Sequence, residues 1–118
     1  MAGSDFTWIS FNHTFNGDGP SLTKTFSIEA VGKPIDNAYL LIQVRSVSVI
    51  THSIEINGQE LPSFDLVPAP SSSQAWLLWM DRIPPNFLKS GQNDIRITRK
   101  GNDNFEIGGV VVNWRENR

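Results

Sequence analysis

The chain has 118 residues, a net charge of −2 and no cysteine. A chain of this length buries roughly two-thirds of its unfolded surface, so we expect a single domain over residues 1–118. The lack of cysteine excludes disulfides, thiolate metal sites and cysteine catalysis. Interspersed charges without a basic stripe argue against nucleic acid as a partner. No apolar run approaches the ~18 residues of a membrane span, so we predict none.

The first residues show no secretion signal. Met1 to Asp5 contain no basic segment followed by an apolar run. A cysteine-free chain suits a reducing compartment. We therefore expect a cytoplasmic location by default, or export by a route that this segment does not reveal.

The first half of the chain alternates with the period of two that is typical of strands. In residues 6–15, Phe6 and Trp8 share one face while Ile9 and Phe11 share the other. Aromatic residues on both faces indicate a strand that is covered twice, or that contacts a partner with one face. A turn at 16–20 leads to a strand over 22–30. The longest apolar run, 38–50, is rich in β-branched residues and is predicted as a third strand.

The second half begins with the strongest turn signal. Ile54 and Ile56 precede Asn57-Gly58, the dipeptide that favours a two-residue hairpin turn, and the chain then returns as far as Phe64. A Pro- and Ser-rich loop is predicted over 65–74.

Three further strands are predicted near 75–81, 94–99 and 105–114. In the first, Trp76, Leu78 and Met80 share one face of the strand and Leu77 and Trp79 share the other. The last places Val110, Val112 and Trp114 opposite Phe105, Ile107 and Val111. Its Gly108-Gly109 pair indicates a bulge or a close backbone approach. About eight strands without a helix predict an all-β fold, an antiparallel β-sandwich of the jelly-roll type.

A motif within residues 38–114 resembles a known family. The Asn57-Gly58 turn, a Trp-bearing strand, and Leu88, Gly91 and Asn93 around a second turn are similar to the galactose-binding-domain-like jelly rolls. These include sugar-binding domains and the carbohydrate-binding modules of glycoside hydrolases. The resemblance implies a lectin-like, carbohydrate-binding role, although the same family includes protein-interaction and purely structural members.

Alternating connections predict where a ligand would bind. In successive antiparallel strands every second loop lies at the same end, which brings 16–20, 50–52, 65–74 and 100–104 together. This pole is rich in side chains that bond hydroxyl groups. The predicted ligand-binding residues are Asn16, Asp18, His52, Trp76, Arg99, Asn102, Asp103 and Asn104.

The same residues can also be explained without a ligand. Asn, Asp and Gly occur in loops mainly because they suit turns, and most large aromatics of a sandwich are buried, which favours the core for Trp76. Calcium is the cofactor that the oxygen-rich loops would suit, with Asp18 and Asp103 as ligands. No spacing supports a histidine metal site, so the metal, if any, is left open.

The functional prediction is a non-catalytic binding module that recognises a glycan or glycoprotein through this pole. No catalytic motif is visible, so we do not expect an enzyme, and a hydrolase is the least favoured alternative. The main alternative is a structural or assembly subunit that binds another protein, or a second copy in a homo-oligomer, through an exposed apolar strand face.

Overall fold

The computed structural model describes residues 2–29, 35–48, 51–62 and 75–117. The described residues form eight strands: β1 (Ala2–Phe15), β2 (Ser21–Ile28), β3 (Ile35–Arg45), β4 (Ser53–Ile56), β5 (Gln59–Glu60), β6 (Leu77–Ile83), β7 (Gly91–Thr98) and β8 (Phe105–Asn117). The loop predicted over 65–74, and the return to Phe64, lie outside these ranges. No helix in the described part of the chain is long and apolar enough to span a membrane.

The strands pair into two antiparallel sheets of four. Sheet A has the order β1-β8-β3-β6, and sheet B has the order β2-β7-β4-β5. Except for β4 and β5, strands that follow one another along the chain lie in different sheets. This is the strand order of a jelly roll. The predicted all-β, eight-stranded sandwich is therefore confirmed.

The core lies between the sheets and is made of the inward-facing residues of both. Isoleucine dominates it, as suits the pleated surface of a strand. The largest fully buried side chains are Phe15, Phe105, Ile28, Leu40, Ile42, Ile54, Ile56, Ile83, Ile95, Ile97 and Ile107. At one end Phe15 stacks on Phe105, with ring centroids 4.9 Å apart and the planes within 6°.

The Gly108-Gly109 bulge is confirmed, and it corrects one prediction. Ile42 pairs with Val110 and Val44 pairs with Ile107, so β8 uses one residue more than β3 over this interval. The extra residue reverses the alternation of β8. Phe105 and Ile107 therefore face the core together with Val110, not the opposite side as predicted.

Strand β3 is shorter than the apolar run that predicted it. It ends at Arg45, five residues before Ile50. Ser46 has a φ of 68°, a left-handed conformation that a continuing strand does not use. Val47 is nevertheless buried, so its apolar character serves the core from outside the sheet.

The motif that carried the family resemblance is built into the end of the sandwich opposite the predicted site. Asn57 and Gly58 have φ values of 52° and 80°, which confirms the predicted turn. Asn57 donates its side-chain amide to Asn93 Oδ1 at 2.8 Å. Asn93 is buried, donates to the carbonyl oxygens of Lys89 and Gly91, and accepts from the Lys89 N–H. These asparagines hold two turns together.

Candidate functional site

Of the segments predicted to share one end of the sandwich, 16–20, 51–52 and 100–104 do so, and the fourth, 65–74, lies outside the described residues. The Arg99 N–H donates to the carbonyl oxygen of Pro20 at 2.7 Å, joining the segments 16–20 and 99–104. The Ser48 N–H donates to Asp103 Oδ2 at 2.7 Å. The Thr51 hydroxyl donates to the carbonyl oxygen of Lys100. The segment after β3 is thereby bonded to the same cluster, which we call the loop pole.

A buried histidine and aspartate occupy the centre of the loop pole. His52 Nε2 lies 2.8 Å from Asp103 Oδ1, and the two side chains are 0% and 4% exposed. His52 Nδ1 accepts the Lys100 N–H at 2.9 Å, which places the proton of a neutral ring on Nε2, towards Asp103. The ring also packs on Phe105, with centroids 4.3 Å apart. Both side chains are engaged inside the protein, out of contact with a ligand on the surface.

Other predicted site residues of the loop pole also bond to their own loops. Asn16 Oδ1 accepts from the N–H groups of Asp18 and Gly19, an Asx turn. Arg99 donates to the carbonyl oxygen of Asp103 at 2.8 Å and approaches Asn104 Oδ1 at 3.4 Å. The side chains of Asp18, Asn102 and Asn104 are exposed. These three are the predicted residues most accessible to solvent at the pole, and a ligand site there stays a prediction.

The geometry offers little to a metal ion. Across the described ranges, no group of three or more His, Asp or Glu side chains is placed to hold one. Asp103, one of the two predicted calcium ligands, accepts the Ser48 N–H with one carboxylate oxygen and faces His52 with the other. Asp18 is exposed in the neighbouring loop.

Trp76 differs from the other predicted site residues in its place, beside a face of a sheet. The expectation that it is buried in the core is wrong, because 41% of it is exposed. It immediately precedes β6 and continues the alternation of Leu78 and Met80, whose side chains point away from the core. Trp76 therefore belongs to the solvent side of sheet A.

The solvent side of sheet A carries a continuous apolar row. Trp8 pairs with Val111, Val111 pairs with Leu41, and Leu41 pairs with Met80. The four residues cross all four strands at one level. Directly opposed side chains on one face of a sheet lie ~4.5–5.5 Å apart at Cβ, close enough to contact one another. The row is thus one surface and not four isolated residues.

The apolar surface extends beyond this row on both edge strands. Phe6 is 64% exposed, Trp8 59%, Leu78 64% and Met80 66%. We call the surface formed by Phe6, Trp8, Leu41, Trp76, Leu78, Met80 and Val111 the outer face of sheet A. Alternate residues of the same strands, such as Ile9 and Ile42, are buried in the core. The alternation of β1 therefore has two apolar faces, as predicted, and one of them is open to solvent.

The glycine bulge of β8 lies under this surface. A Cβ atom on Gly109 would overlap the six-membered ring of Trp8, and one on Gly108 would overlap the side-chain amide of Gln43. Trp76 Cζ3 lies 3.4 Å from the same Gly108 position. The side chains of Trp8, Gln43 and Trp76 therefore pack directly against the backbone of β8. This packing requires glycine at positions 108 and 109.

An ion pair borders the outer face near Trp76. Arg45 donates to both carboxylate oxygens of Glu106, at 3.0 and 3.1 Å. Its guanidinium carbon lies 4.7 Å from the centre of the Trp76 ring, a cation–π distance. Arg45 and Glu106 are paired across β3 and β8. The positive charge of this arginine is thus neutralised within the domain.

Strand alternation predicts the two edges of the outer face but not the whole surface. It assigns Phe6 with Trp8, and Trp76 with Leu78 and Met80, to single strand faces. Local alternation does not specify that β1 and β6 belong to the same sheet, because strand order depends on contacts between distant segments. The signal that was available is the apolar character of both faces of β1, which a sandwich with one covered side does not require.

Three comparisons locate the chain among known proteins. Residues 4–116 match a family of unknown function, DUF7383, and the chain belongs to that family. No curated protein matches the chain by sequence. Among solved structures, it is similar to dimeric latent PorU from Porphyromonas gingivalis, at a TM-score of 0.67 and 8% identity, covering 98% of this chain and 13% of that one.

A second similar structure is the infectious bursal disease virus VP2 subviral particle. Its TM-score is 0.50 at 12% identity, covering 96% of this chain and 32% of that one. The chain therefore spans less than a third of the length of either protein. Identities this low establish a shared β-rich fold and nothing about function.

Proposed function

We propose that this domain is a non-catalytic binding module that docks the outer face of sheet A on another protein. The single observation that supports this is the apolar row Trp8–Val111–Leu41–Met80, which crosses all four strands on the solvent side. An apolar row at this position costs solubility and adds nothing to the core. Such surfaces on soluble domains mark interaction sites.

The size of the surface is consistent with docking. Phe6, Trp8 and Trp76 are 64%, 59% and 41% exposed, so with roughly 150–250 Å² per aromatic side chain they present on the order of 350 Å². Leu78 and Met80 extend it further. The largest apolar patch on an ordinary monomer is about 300–600 Å², and such patches are often functional. The exposed apolar area of the outer face is therefore at least in the range of such patches.

The composition favours a protein over a sugar as the partner. Leu78 and Met80 are about two-thirds exposed, and aliphatic side chains offer a pyranose neither a stacking surface nor a hydrogen bond. Methionine and aromatic residues are enriched at protein interfaces. Flexible methionine side chains also adapt to the shape of a partner.

Site-specific photo-crosslinking in native cells tests this proposal. A benzophenone amino acid at Met80 samples the outer face of sheet A, and the same group at Thr25, exposed on β2, samples the solvent side of sheet B. We expect discrete protein adducts from position 80 and none, or far weaker ones, from position 25. Equal adducts from the two positions, or none from position 80, would contradict the proposal.

A second candidate function is carbohydrate recognition, and one feature favours it. The Trp8 ring lies over Gly109 while more than half of the residue is exposed, and the Gln43 amide lies over neighbouring Gly108. An exposed aromatic ring beside a planar amide is the pairing that sugar sites use. At the loop pole, Asn102 and Asn104 offer the alternative location.

Tryptophan fluorescence titration with a panel of oligosaccharides separates these two locations. Binding that Trp8→Ala abolishes would assign the sugar to sheet A, whereas binding lost in Asn102→Ala with Asn104→Ala would assign it to the loop pole. No response to any sugar in the panel would remove this candidate and leave the protein-docking proposal unaffected.

A further inference from the structure

One arginine of the outer face, Arg82, has no side-chain partner within the described part of the chain. Arg82 is exposed on β6, two residues beyond Met80 and on the same side of the strand. It pairs in register with Tyr39 of β3. Its backbone N–H donates to Asp81 Oδ1 at 2.8 Å, but its guanidinium makes no ion pair or hydrogen bond with any residue of the described ranges. Five N–H donors are therefore directed to solvent beside an apolar surface.

Arg45 provides the contrast on the same face. Its guanidinium is held by both oxygens of Glu106 and stacks on Trp76. The positive charge at that end of the surface is already compensated. At the other end Arg82 has no such carboxylate, and Arg115, exposed on β8, adds a second positive charge near Phe6. Asp36 of β3 lies in register with Arg115, whereas the residue in register with Arg82 is the uncharged Tyr39.

Concave surfaces flank Arg82 on both sides. A cavity of about 230 Å³ is lined by Asn37, Ala38, Tyr39, Met80 and Arg82. A second, of about 320 Å³, is lined by Pro62, Asp81, Arg82, Pro84 and Pro85. The first is continuous with the outer face through Met80. An apolar side chain inserted there would place a neighbouring carboxylate within reach of the guanidinium.

A second copy of this chain does not satisfy these groups. In a symmetric face-to-face dimer each copy would offer the other the same surface. Of the acids that the strand register places on this face, Glu106 is already bonded to Arg45 and Asp36 lies opposite Arg115. Arg82 would then be desolvated without an opposite charge, which costs free energy. Charge complementarity points to a different protein.

We infer that the outer face of sheet A recognises an apolar protein segment that carries an acidic side chain, with Arg82 binding its carboxylate. The inference rests on the proposed function and specifies the chemistry of the partner. The apolar row supplies the contact area, and Arg82 selects among apolar segments by their charge. Arginine suits this role because its planar fork binds a carboxylate through two parallel hydrogen bonds.

A random peptide library displayed on phage, selected against the intact protein, tests this inference. We expect the selected peptides to combine large apolar residues with Asp or Glu. Selection against Arg82→Glu should switch the charged residue to Lys or Arg, and Arg82→Gln should remove the acidic preference without creating a basic one. Lys89→Glu, the same charge change in an exposed loop, should leave the selected sequences unchanged.

Synthetic peptides made from the selected consensus give the magnitude. We expect Arg82→Glu to weaken binding of the acidic peptide by about tenfold or more, and to strengthen binding of its Lys-substituted counterpart. Met80→Asp should weaken both peptides equally, because it removes apolar contact and not the charge pair.

The outcomes distinguish this inference from the proposed function. If the selected peptides are apolar without a charge preference, and Met80→Asp abolishes their binding, the role of Arg82 is overturned and the docking proposal stands. Peptides that bind Met80→Asp as well as the wild type would overturn both. Arg82-dependent binding to phosphatidylglycerol vesicles, or a dimer in light scattering that Met80→Asp dissolves, would replace the protein partner with a lipid surface or a second copy.

Discussion

The two sheets of this domain share one core but differ on their solvent sides. Sheet A carries the row Trp8–Val111–Leu41–Met80, whereas sheet B carries Thr23–Arg96–Glu55–Glu60 across its four strands. Both rows cross the middle of a sheet in the same antiparallel arrangement. A sandwich of this size therefore has no structural need for an apolar outer row. This difference is the basis for our proposal that the outer face of sheet A docks on another protein.

The largest effect is expected when sheet A is made to resemble sheet B. Trp8→Thr with Leu78→Thr should lower the yield of adducts from a photo-crosslinker at position 80, through an affinity loss of about a hundredfold. Truncating the anchor residues of an interface costs ~2 kcal/mol or more. The free energy of unfolding should change by only about 1 kcal/mol, because exposed side chains contribute little to stability.

The matched control for that variant lies on sheet B. Thr23→Ala with Thr25→Ala removes polar atoms from the opposite solvent side and should change neither the adducts nor the unfolding transition appreciably. If both double variants reduced the adduct yield alike, the contrast between the two faces would have no functional meaning.

A smaller effect is expected from the glycine that seats Trp8. Gly109→Val should lower the free energy of unfolding by about 1–3 kcal/mol, because the added side chain must displace the indole ring. Urea denaturation measures this loss, and the Trp8 emission should shift as its surroundings change. Gly17→Val is the control, since space around Gly17 is open. If Gly109→Val has the same free energy of unfolding as the wild type, the Trp8 ring does not lie over Gly109.

The smallest effect concerns the ion pair at the edge of the face. Glu106→Gln leaves Arg45 without its carboxylate and should cost less than about 1 kcal/mol, because both side chains are about one-third exposed and solvent screens the pair. The difference from wild type should shrink further at high salt. Thermal unfolding at two ionic strengths measures it, and a loss that grows with salt would contradict this account.

Part of the fold was predictable because strand periodicity is local. The alternation of Phe6 and Trp8 against Ile9 and Phe11, the Asn57-Gly58 turn and the bulge at Gly108 each follow from a few neighbouring residues. The gathering of loops at one pole followed from the alternation of antiparallel strands. The end of β3 at Arg45 could not be predicted from the apolar pattern, because Val47 is apolar and buried although it lies outside the sheet.

The candidate site was less predictable than the fold. The residue types at the loop pole suit a sugar and suit a turn equally, and Asn16, His52 and Asp103 are used to hold loops together. Only hydrogen-bond partners and burial distinguish the two uses. Trp76 illustrates the opposite error, since its size favoured the core although it lies on the solvent side.

By itself the sequence determined the class of the fold and the two faces of the strands without a bulge, since a regular pleated strand directs alternate residues to opposite sides whatever its neighbours are. The tertiary structure decided which strands became neighbours. Pairing β1 with β8, β8 with β3 and β3 with β6 aligned four separate apolar residues into one exposed row. It also left Arg82 at the end of that surface without an ion pair to any residue that the structure describes. Those outcomes depend on contacts between residues far apart in the chain, which no local pattern specifies.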